Sequence, residues 1–421
     1  MGNIPYVAIV GAGFGGLGVA EQLAHVPVDV TLIDQHDYHT FQPLLYQVAT
    51  SLLNAEDVGA PVRSLFRHQD NVTFRMATVT GIDVPGHKIQ LNNGNQISYD
   101  YLVLAAGTTV NYFNTPGAAE HAFPLYTLMH AVKLRNRILE RFEAAASDPT
   151  LIEDGALDFV IVGAGPTGVE TAGALSDLFY NVLPRDYHQL ATEKARIIIV
   201  ERGKEVLAPF KDNMRAYAKE ELERRRVEVR LGEAVAEVAP ARVRLKSGEE
   251  IKAHTLVWAA GVRANPLADL LGLPQGHGGR IKVNPDLSVP DHPEIFALGD
   301  MGEVASDGKV LPQLGSVAMQ SGEHVGRQIA RRLHGDTGQP FKYWDKGFMA
   351  TIGRGSAVVE LPNKQTLHGP LAYFAWLGVH LALLSGMRNR IETWNWGWSA
   401  LTHDRAARII IESKDDEAKH A

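Results

Sequence analysis

Apolar runs recur along this chain, and each closes on a glycine or an acid. Residues 4–10 close on Gly11, 28–33 on Asp34, 101–106 on Gly107, 157–162 on Gly163, 196–200 on Glu201 and 256–260 on Gly261. A seventh run, Ile295-Phe296-Ala297-Leu298, closes on Gly299-Asp300. Short unbroken apolar stretches rich in β-branched residues predict buried strands. Helix-compatible segments follow Gly16 and Gly168, and residues 127–147 carry Leu128, Val132, Arg135, Ile138, Leu139 and Phe142 on one helical stripe. Residues 72–104 read instead as short strands turning at Pro85-Gly86 and Asn92-Asn93-Gly94. Strands alternating with helices predict an α/β chain.

Two of the closures carry chemistry. Gly11-Ala12-Gly13-Phe14-Gly15-Gly16 is a G-x-G-x-x-G between a strand and a helix, and Asp34 tips the next strand eighteen residues after Gly16. The first glycine permits the tight turn, the second lets backbone approach a pyrophosphate, and the third lets helix pack on strand. The pyrophosphate then meets free N–H groups at the helix N-terminus, and the acid accepts from ribose hydroxyls. Gly163-Ala164-Gly165-Pro166-Thr167-Gly168-Val169-Glu170 repeats the pattern, with Glu201 as the tipping acid. Strand, glycine loop, helix, acid-tipped strand, hairpins and small-residue turn therefore occur twice in order.

Composition narrows what such a chain does. At 421 residues it is long enough for two or three domains. A net charge of −7 argues against nucleic acid as the main partner. Cysteine is absent, which removes disulfides, thiolate nucleophiles, cysteine-ligated clusters and redox dithiols; no metal site is expected. The N-terminus lacks a signal-peptide pattern, and no stretch reaches the ~20 uninterrupted apolar residues of a membrane span. The expectation is a protein on the cytoplasmic side, soluble or peripheral.

Three further segments carry weaker signals. His36-Asp37-Tyr38-His39-Thr40-Phe41-Gln42-Pro43-Leu44-Leu45-Tyr46-Gln47-Val48-Ala49 has no clean period; it fits a loop and short helix lining a flat ring system, or an ordinary connection on the sheet. The alternating run Lys219-Glu220-Glu221-Leu222-Glu223-Arg224-Arg225-Arg226 reads as a solvated helix face. Gly276-His277-Gly278-Gly279 reads as a flexible loop. From about residue 340 the balance changes: residues 341–412 hold eight basic and five acidic residues and five of the six tryptophans. The apolar stretch 370–384, followed by Met387-Arg388-Asn389-Arg390, fits a helix lying in a membrane interface; a core helix of a small domain or a dimer contact are the other readings. Residues 413–421 are charged and expected to be disordered.

Together these features resemble the flavoproteins with two dinucleotide-binding domains. The resemblance implies two Rossmann-like domains and a small C-terminal membrane-associating domain. FAD would lie on the first loop, NADH on the second, inserted unit. Domain limits would be 1–115 and 276–335 for the FAD domain, 116–275 for the NADH domain and 336–421 for the membrane-anchoring part. Within that superfamily, Phe41-Gln42-Pro43-Leu44-Leu45-Tyr46-Gln47-Val48-Ala49, the second glycine loop and Ala350-Thr351-Ile352-Gly353-Arg354 are similar to type II NADH:quinone oxidoreductases, single-subunit and non-pumping enzymes of respiratory membranes. The resemblance assigns Gly11, Gly13, Phe14, Gly15, Gly16, Asp34, Gln35, Pro43, Leu44, Ala106, Gly107, Asp300 and Ala318 to FAD, with Asp300 on the ribityl chain. It assigns Gly163, Gly165, Pro166, Thr167, Gly168, Glu170, Glu201 and Gly261 to NADH. Tyr46, Gln47, Ser316 and Gln320 fall to a quinone pocket, with Glu170 and Gln320 as the catalytic pair.

Glu201 favours NADH, since a carboxylate there repels a 2′-phosphate, although Arg202 is adjacent. Glu170 gains a role near the nicotinamide by resemblance, while its spacing alone also fits a first-turn acid favouring the helix dipole. The family's Ala-Gln-x-Ala-x-Gln reads Gly315-Ser316-Val317-Ala318-Met319-Gln320 here. Ala318 and Gln320 match it, and Ser316 does not take the glutamine's role. A helix beginning near Gly315 would aim its positive end at the flavin. Quinone, a membrane surface and a homodimer are the expected partners, and the cytoplasmic face of the cell inner membrane the expected location. Disulfide reductases, sulfide:quinone oxidoreductases and cysteine peroxidases fall for want of cysteine; a soluble FAD-dependent reductase of ferredoxin or rubredoxin is the surviving alternative, and an NADH-sensing flavoprotein a more distant one.

Overall fold

Every residue of Tyr6–Val10 except the first is buried, as expected of a strand with neighbours on both edges and cover on both faces. The computed structural model describes residues 4–384 and 409–410. The chain divides into two compact units, one of Met1–Thr40, Ala60–Val110 and Val262–Asp345, the other of Phe41–Gly59, Asn111–Gly261 and Lys346–Ala421.

In the first unit a six-stranded sheet runs in the order Ser288–Val289, His292–Ala297, Tyr101–Leu104, Tyr6–Val10, Asp29–Asp34, Val72–Met76. All its pairings are parallel except the Ser288–Val289 hairpin edge. Alternation along each strand divides the core in two. Val7, Ile9, Val30, Leu32, Val103 and Phe296 enter one cluster; Ala8, Val10, Ile33, Leu102, Leu104 and Ile295 enter the other. The first cluster is covered by the helix Phe14–Gln22, which crosses Gly315–Leu333. The crossing needs glycines. A Cβ on Gly322 would lie 2.2 Å from the Gly15 carbonyl oxygen, and one on Gly326 2.5 Å from the Gln22 Cβ. The expected short strands form at Val79–Asp83, Lys88–Leu91 and Gln96–Ser98. The glycine-rich segment is a short turn, His277–Gly279, whose first N–H donates to Glu303.

In the second unit a five-stranded, all-parallel sheet runs Phe123–Pro124, Thr255–Trp258, Asp158–Val162, Arg196–Glu201, Val227–Leu231. The predicted stripe folds as the helix Leu128–Ser147, whose buried face includes Val132, Arg135, Ile138, Leu139 and Phe142. Thr127 caps it by accepting the His130 N–H at 3.1 Å. The helix Pro166–Asp177 continues into a π-helical turn, Leu178–Val182. A three-stranded antiparallel sheet, Phe348–Thr351, Ala357–Glu360 and Thr366–His368, packs with the helix Pro370–Leu383 in the same unit.

One expectation fails here. The charged run lies at the end of the helix Asp212–Arg224, but it is not simply a solvated face. Glu221 is 4% exposed and shares its inward stripe with Met214, Ala218 and Leu222. Helical spacing carries it inside, where Arg224 and Arg225 neutralise it. The apolar stretch near the C-terminus does form a helix, with Ala372, Tyr373, Trp376 and Leu377 buried and Leu371, Phe374, Val379 and Leu383 exposed. Arg388, Arg390, Trp394, Trp396 and Trp398 lie outside the described residues, as does the segment 413–421. No helix among the described residues is long and apolar enough to cross a membrane.

Candidate functional site

The two glycine loops are built alike, and in each the first and third glycines are sterically required. Gly11 has φ +107° and Gly163 φ +104°, a region that side chains rarely adopt. A Cβ on Gly16 would fall 1.8 Å from the Gly11 carbonyl oxygen; on Gly168 it would fall 1.9 Å from that of Gly163. The middle glycines differ: nothing lies within 4 Å of where a Cβ on Gly13 or Gly165 would stand. At this position of such a loop, open space lets backbone approach a pyrophosphate.

The tipping acids repeat the symmetry. Ala12 N–H donates to Asp34 Oδ2 at 2.7 Å and His36 N–H to Oδ1 at 2.9 Å. Ala164 N–H donates to Glu201 Oε2 at 2.8 Å and Gly203 N–H to Oε1 at 2.6 Å. Each carboxylate thus braces its own glycine loop and retains lone pairs for a ribose. Gln35, beside Asp34, is exposed, as are Pro166 and Thr167 on the second loop.

Around the first loop, Ala105 and Ala106, at the start of the turn through Gly107, abut Gly11, whose Cβ would meet the Ala105 oxygen at 2.3 Å. Asn265 fixes this turn, donating from its side chain to the Ala106 oxygen and from its N–H to that of Gly107. The Phe14 ring stands 4.9 Å edge-on from His39 and 3.5 Å from the Cβ position of Gly315. The N-terminus of the Gly315–Leu333 helix is thereby set beside the loop, where its dipole favours an anion. Gly299 has φ +57°, donates its N–H to Ser321 Oγ at 3.1 Å and faces the Ala318 methyl. Next to it, Asp300 Oδ1 is enclosed without a hydrogen-bond partner, and burial pushes the carboxyl up to about 6 against the pull of Arg280. An enclosed acceptor with no donor is a position for ligand hydroxyls. These residues fit the pyrophosphate, ribose and ribityl hydroxyls of FAD. Pro43 and Leu44, also expected at FAD, belong to the other unit, in the turn Gln42–Leu44, with Leu44 fully buried.

In the second unit, the Gly163 loop abuts residue 259 as Gly11 abuts residue 105. Gly261 has φ +147° and faces the Phe113 ring. The helix begins at Pro166, so Glu170 lies beyond its first turn, and the dipole reading of that acid falls. Glu170 is buried instead, and burial raises its carboxyl to about 8. Thr351 N–H donates to its Oε1 at 3.3 Å and opposes that rise. The Thr351 hydroxyl lies 2.9 Å from Tyr46 Oη, which accepts Gln47 Nε2 at 3.0 Å. Burial first, then Glu170, holds the Tyr46 phenol far above its ordinary value. Gln47 Oε1 is enclosed without a partner. The cluster therefore gathers a carboxyl protonated at neutral pH, two hydroxyls and a free amide oxygen.

Ser316 and Gln320 lie in the first unit. Ser316 Oγ is 2.8 Å from Tyr343 Oη. Gln320 accepts the Trp344 N–H at 2.9 Å and donates to its carbonyl at 3.0 Å, so its amide is committed at both ends to one backbone residue. Thr351, Tyr343 and Trp344 are partners of these side chains that the expected site residues did not include. Thr351 is 305 residues from Tyr46, and no periodicity reports so distant a pairing.

The family model of the pyridine nucleotide-disulphide oxidoreductases matches residues 5–322. The chain is 36% identical over 425 aligned positions to the type II NADH:quinone oxidoreductase Ndh of Mycobacterium tuberculosis, covering 97% of this chain and 90% of that protein. It is 31% identical over 363 positions to the type II NADH:quinone oxidoreductase of Staphylococcus haemolyticus, covering 84% and 88%. Its fold matches the structure of NDH2 from Plasmodium falciparum in complex with NADH, with a TM-score of 0.88 at 20% identity over 97% of this chain and all of that one.

Proposed function

Because the chain belongs to the type II NADH:quinone oxidoreductases, within the pyridine nucleotide-disulphide oxidoreductase family, we propose that its first glycine loop holds FAD and its second receives NADH. The chain is an FAD-dependent NADH dehydrogenase that delivers electrons to a quinone. FAD, when bound, supplies the two-electron relay, taking hydride from NADH and passing its electrons on. With no cysteine in the chain, the thiol chemistry of many family members has no residue to carry it. The observation that carries the FAD assignment is the partnerless Asp300 Oδ1 beside a loop left open at Gly13.

The residues divide the work. Asp34 and Glu201 hold their loops and accept ribose hydroxyls. Glu201 repels a 2′-phosphate and selects NADH. The Gly315–Leu333 helix stabilises negative charge at its N-terminus. Tyr46 and Gln47 in one unit, and Ser316 and Gln320 in the other, are the residues assigned to quinone contact, and Gln320 also holds the Trp344 backbone in place. Glu170, protonated at neutral pH, is suited to hold or release one proton during turnover.

The helix Pro370–Leu383 presents Leu371, Phe374, Val379 and Leu383 outward without a charged side chain between them. This supports an interfacial helix lying in the headgroup region of the cytoplasmic leaflet, near a lipid-soluble quinone. A homodimer through this part of the chain would add to that membrane contact. A soluble ferredoxin or rubredoxin reductase needs no such apolar face. The deciding measurement is NADH oxidation by the FAD-loaded protein with a water-soluble quinone against ferredoxin. Preferred turnover of ferredoxin would end this reading.

A further inference from the structure

The helix Pro166–Asp177 carries Glu170, Gly173 and Asp177 at helical spacing on one face, and all three meet the same short segment, residues 351–354. Thr351 N–H donates to Glu170. A Cβ on Gly173 would lie 2.5 Å from the Gly353 nitrogen and from the Ile352 carbonyl carbon, so backbone rests directly on backbone there. At the far end Arg354 N–H donates to Asp177 Oδ2 at 2.6 Å. Arg225 closes the arrangement. It donates to Asp177 Oδ1 at 2.9 Å, to the Arg354 carbonyl at 2.6 Å and to Glu221 Oε1 at 2.8 Å. Its side chain is 15% exposed, Asp177's 11% and Glu221's 4%.

We propose that Asp177 and Arg225 are positioning residues for Glu170: they clamp residues 351–354 onto the helix, and so keep water from the carboxyl and hold the Thr351 N–H against it. The inference rests on reading Glu170 as a working group of the site. The geometry supports it because one guanidinium reaches both a helix-borne carboxylate and the strap's own carbonyl. A planar fork makes such a bridge and an ammonium does not. From the Leu45–Ala49 helix, Tyr46 is the titratable group facing Glu170. From the Phe348–Thr351 strand the contact is the Thr351 amide, and the helix Asp212–Arg224 and its end bring Glu221 and Arg225 only to the Asp177 end.

Releasing the strap has two opposed effects on Glu170. Loss of the Thr351 hydrogen bond disfavours the carboxylate, while hydration favours it. Burial is the larger cause of the present shift, so hydration wins and Glu170 titrates lower. The test uses the FAD-loaded full chain and infrared titration of the buried carboxyl stretch, assigned as the band missing in Glu170→Gln. Arg225→Met and Gly173→Ala break the clamp by different routes, one removing the guanidinium and the other forcing the backbones apart. Both should lower the midpoint by about one unit or more, with Arg225→Lys between them and the parent. Folding is checked by flavin retention and circular dichroism. Folded variants whose midpoint stays at the parent value overturn the proposal. A midpoint that moves while the pH profile of quinone reduction does not leaves the clamp standing and removes Glu170 from the reaction.

Discussion

Asp34 and Glu201 tie a visible role in the fold to the one proposed for them at the nucleotides. Each accepts two amide hydrogens near its own glycine loop. Glu201→Gln keeps an acceptor for one amide and removes the charge that repels a 2′-phosphate. The NADPH-to-NADH ratio of kcat/KM should therefore rise about tenfold, roughly 1.4 kcal/mol; steady-state kinetics with the two nucleotides check it. Glu170 makes a second case. Its carboxyl is raised to about 8 in the folded chain, above an unfolded value near 4.5. The native state then holds more protons than the unfolded state between those values, so this residue's contribution to stability is full below the lower one and is lost as pH rises through the upper. Glu170→Gln should flatten the fall in Tm between pH 5 and pH 8 and slow flavin reduction in stopped flow. Unchanged flavin reduction and unchanged KM for NADH would take it out of the site.

At the scale of elements, the glycines sort by what occupies the space a side chain would need. Gly13 meets nothing, whereas Gly322 meets the Gly15 backbone at 2.2 Å. Gly13→Ala should leave Tm within about 1 °C but weaken FAD retention, because a methyl group then stands where backbone must approach the pyrophosphate. Gly322→Ala should do the reverse. It forces the two helices apart at a cost of about 1–3 kcal/mol, seen as a lower Tm in a protein that still takes up flavin when folded. Thermal unfolding and flavin fluorescence on the same pair separate the two roles; equal effects in both assays would remove the distinction.

At the scale of the molecule, the membrane contact proposed for the chain is assigned to one helix, apart from both glycine loops. The outward face of Pro370–Leu383 is apolar, so Leu371→Asp with Phe374→Asp should reduce co-sedimentation with anionic vesicles at least several-fold. Turnover with a water-soluble quinone should stay near the parent value. Loss of both activities together would make this helix part of the core rather than a docking face.

Glycine loops, acid-tipped strands and the missing cysteines were legible along the chain because they depend on local constraints: φ at Gly11 and Gly163, buried strands, and residue types present or absent. Short apolar runs likewise foretold which strands are buried. What folding alone decided is contact between distant segments. Glu170 stands out by its place just after a glycine motif, but its proton affinity is set by burial and by Thr351, which arrives from another part of the chain. Glu221 and Arg225 read as solvated because sign alternates along their helix, yet the turn of that helix carries both inward, where Arg225 donates to Glu221, Asp177 and the Arg354 carbonyl. Periodicity records how a residue relates to its neighbours in sequence; desolvation and hydrogen bonding at a site depend on neighbours in space.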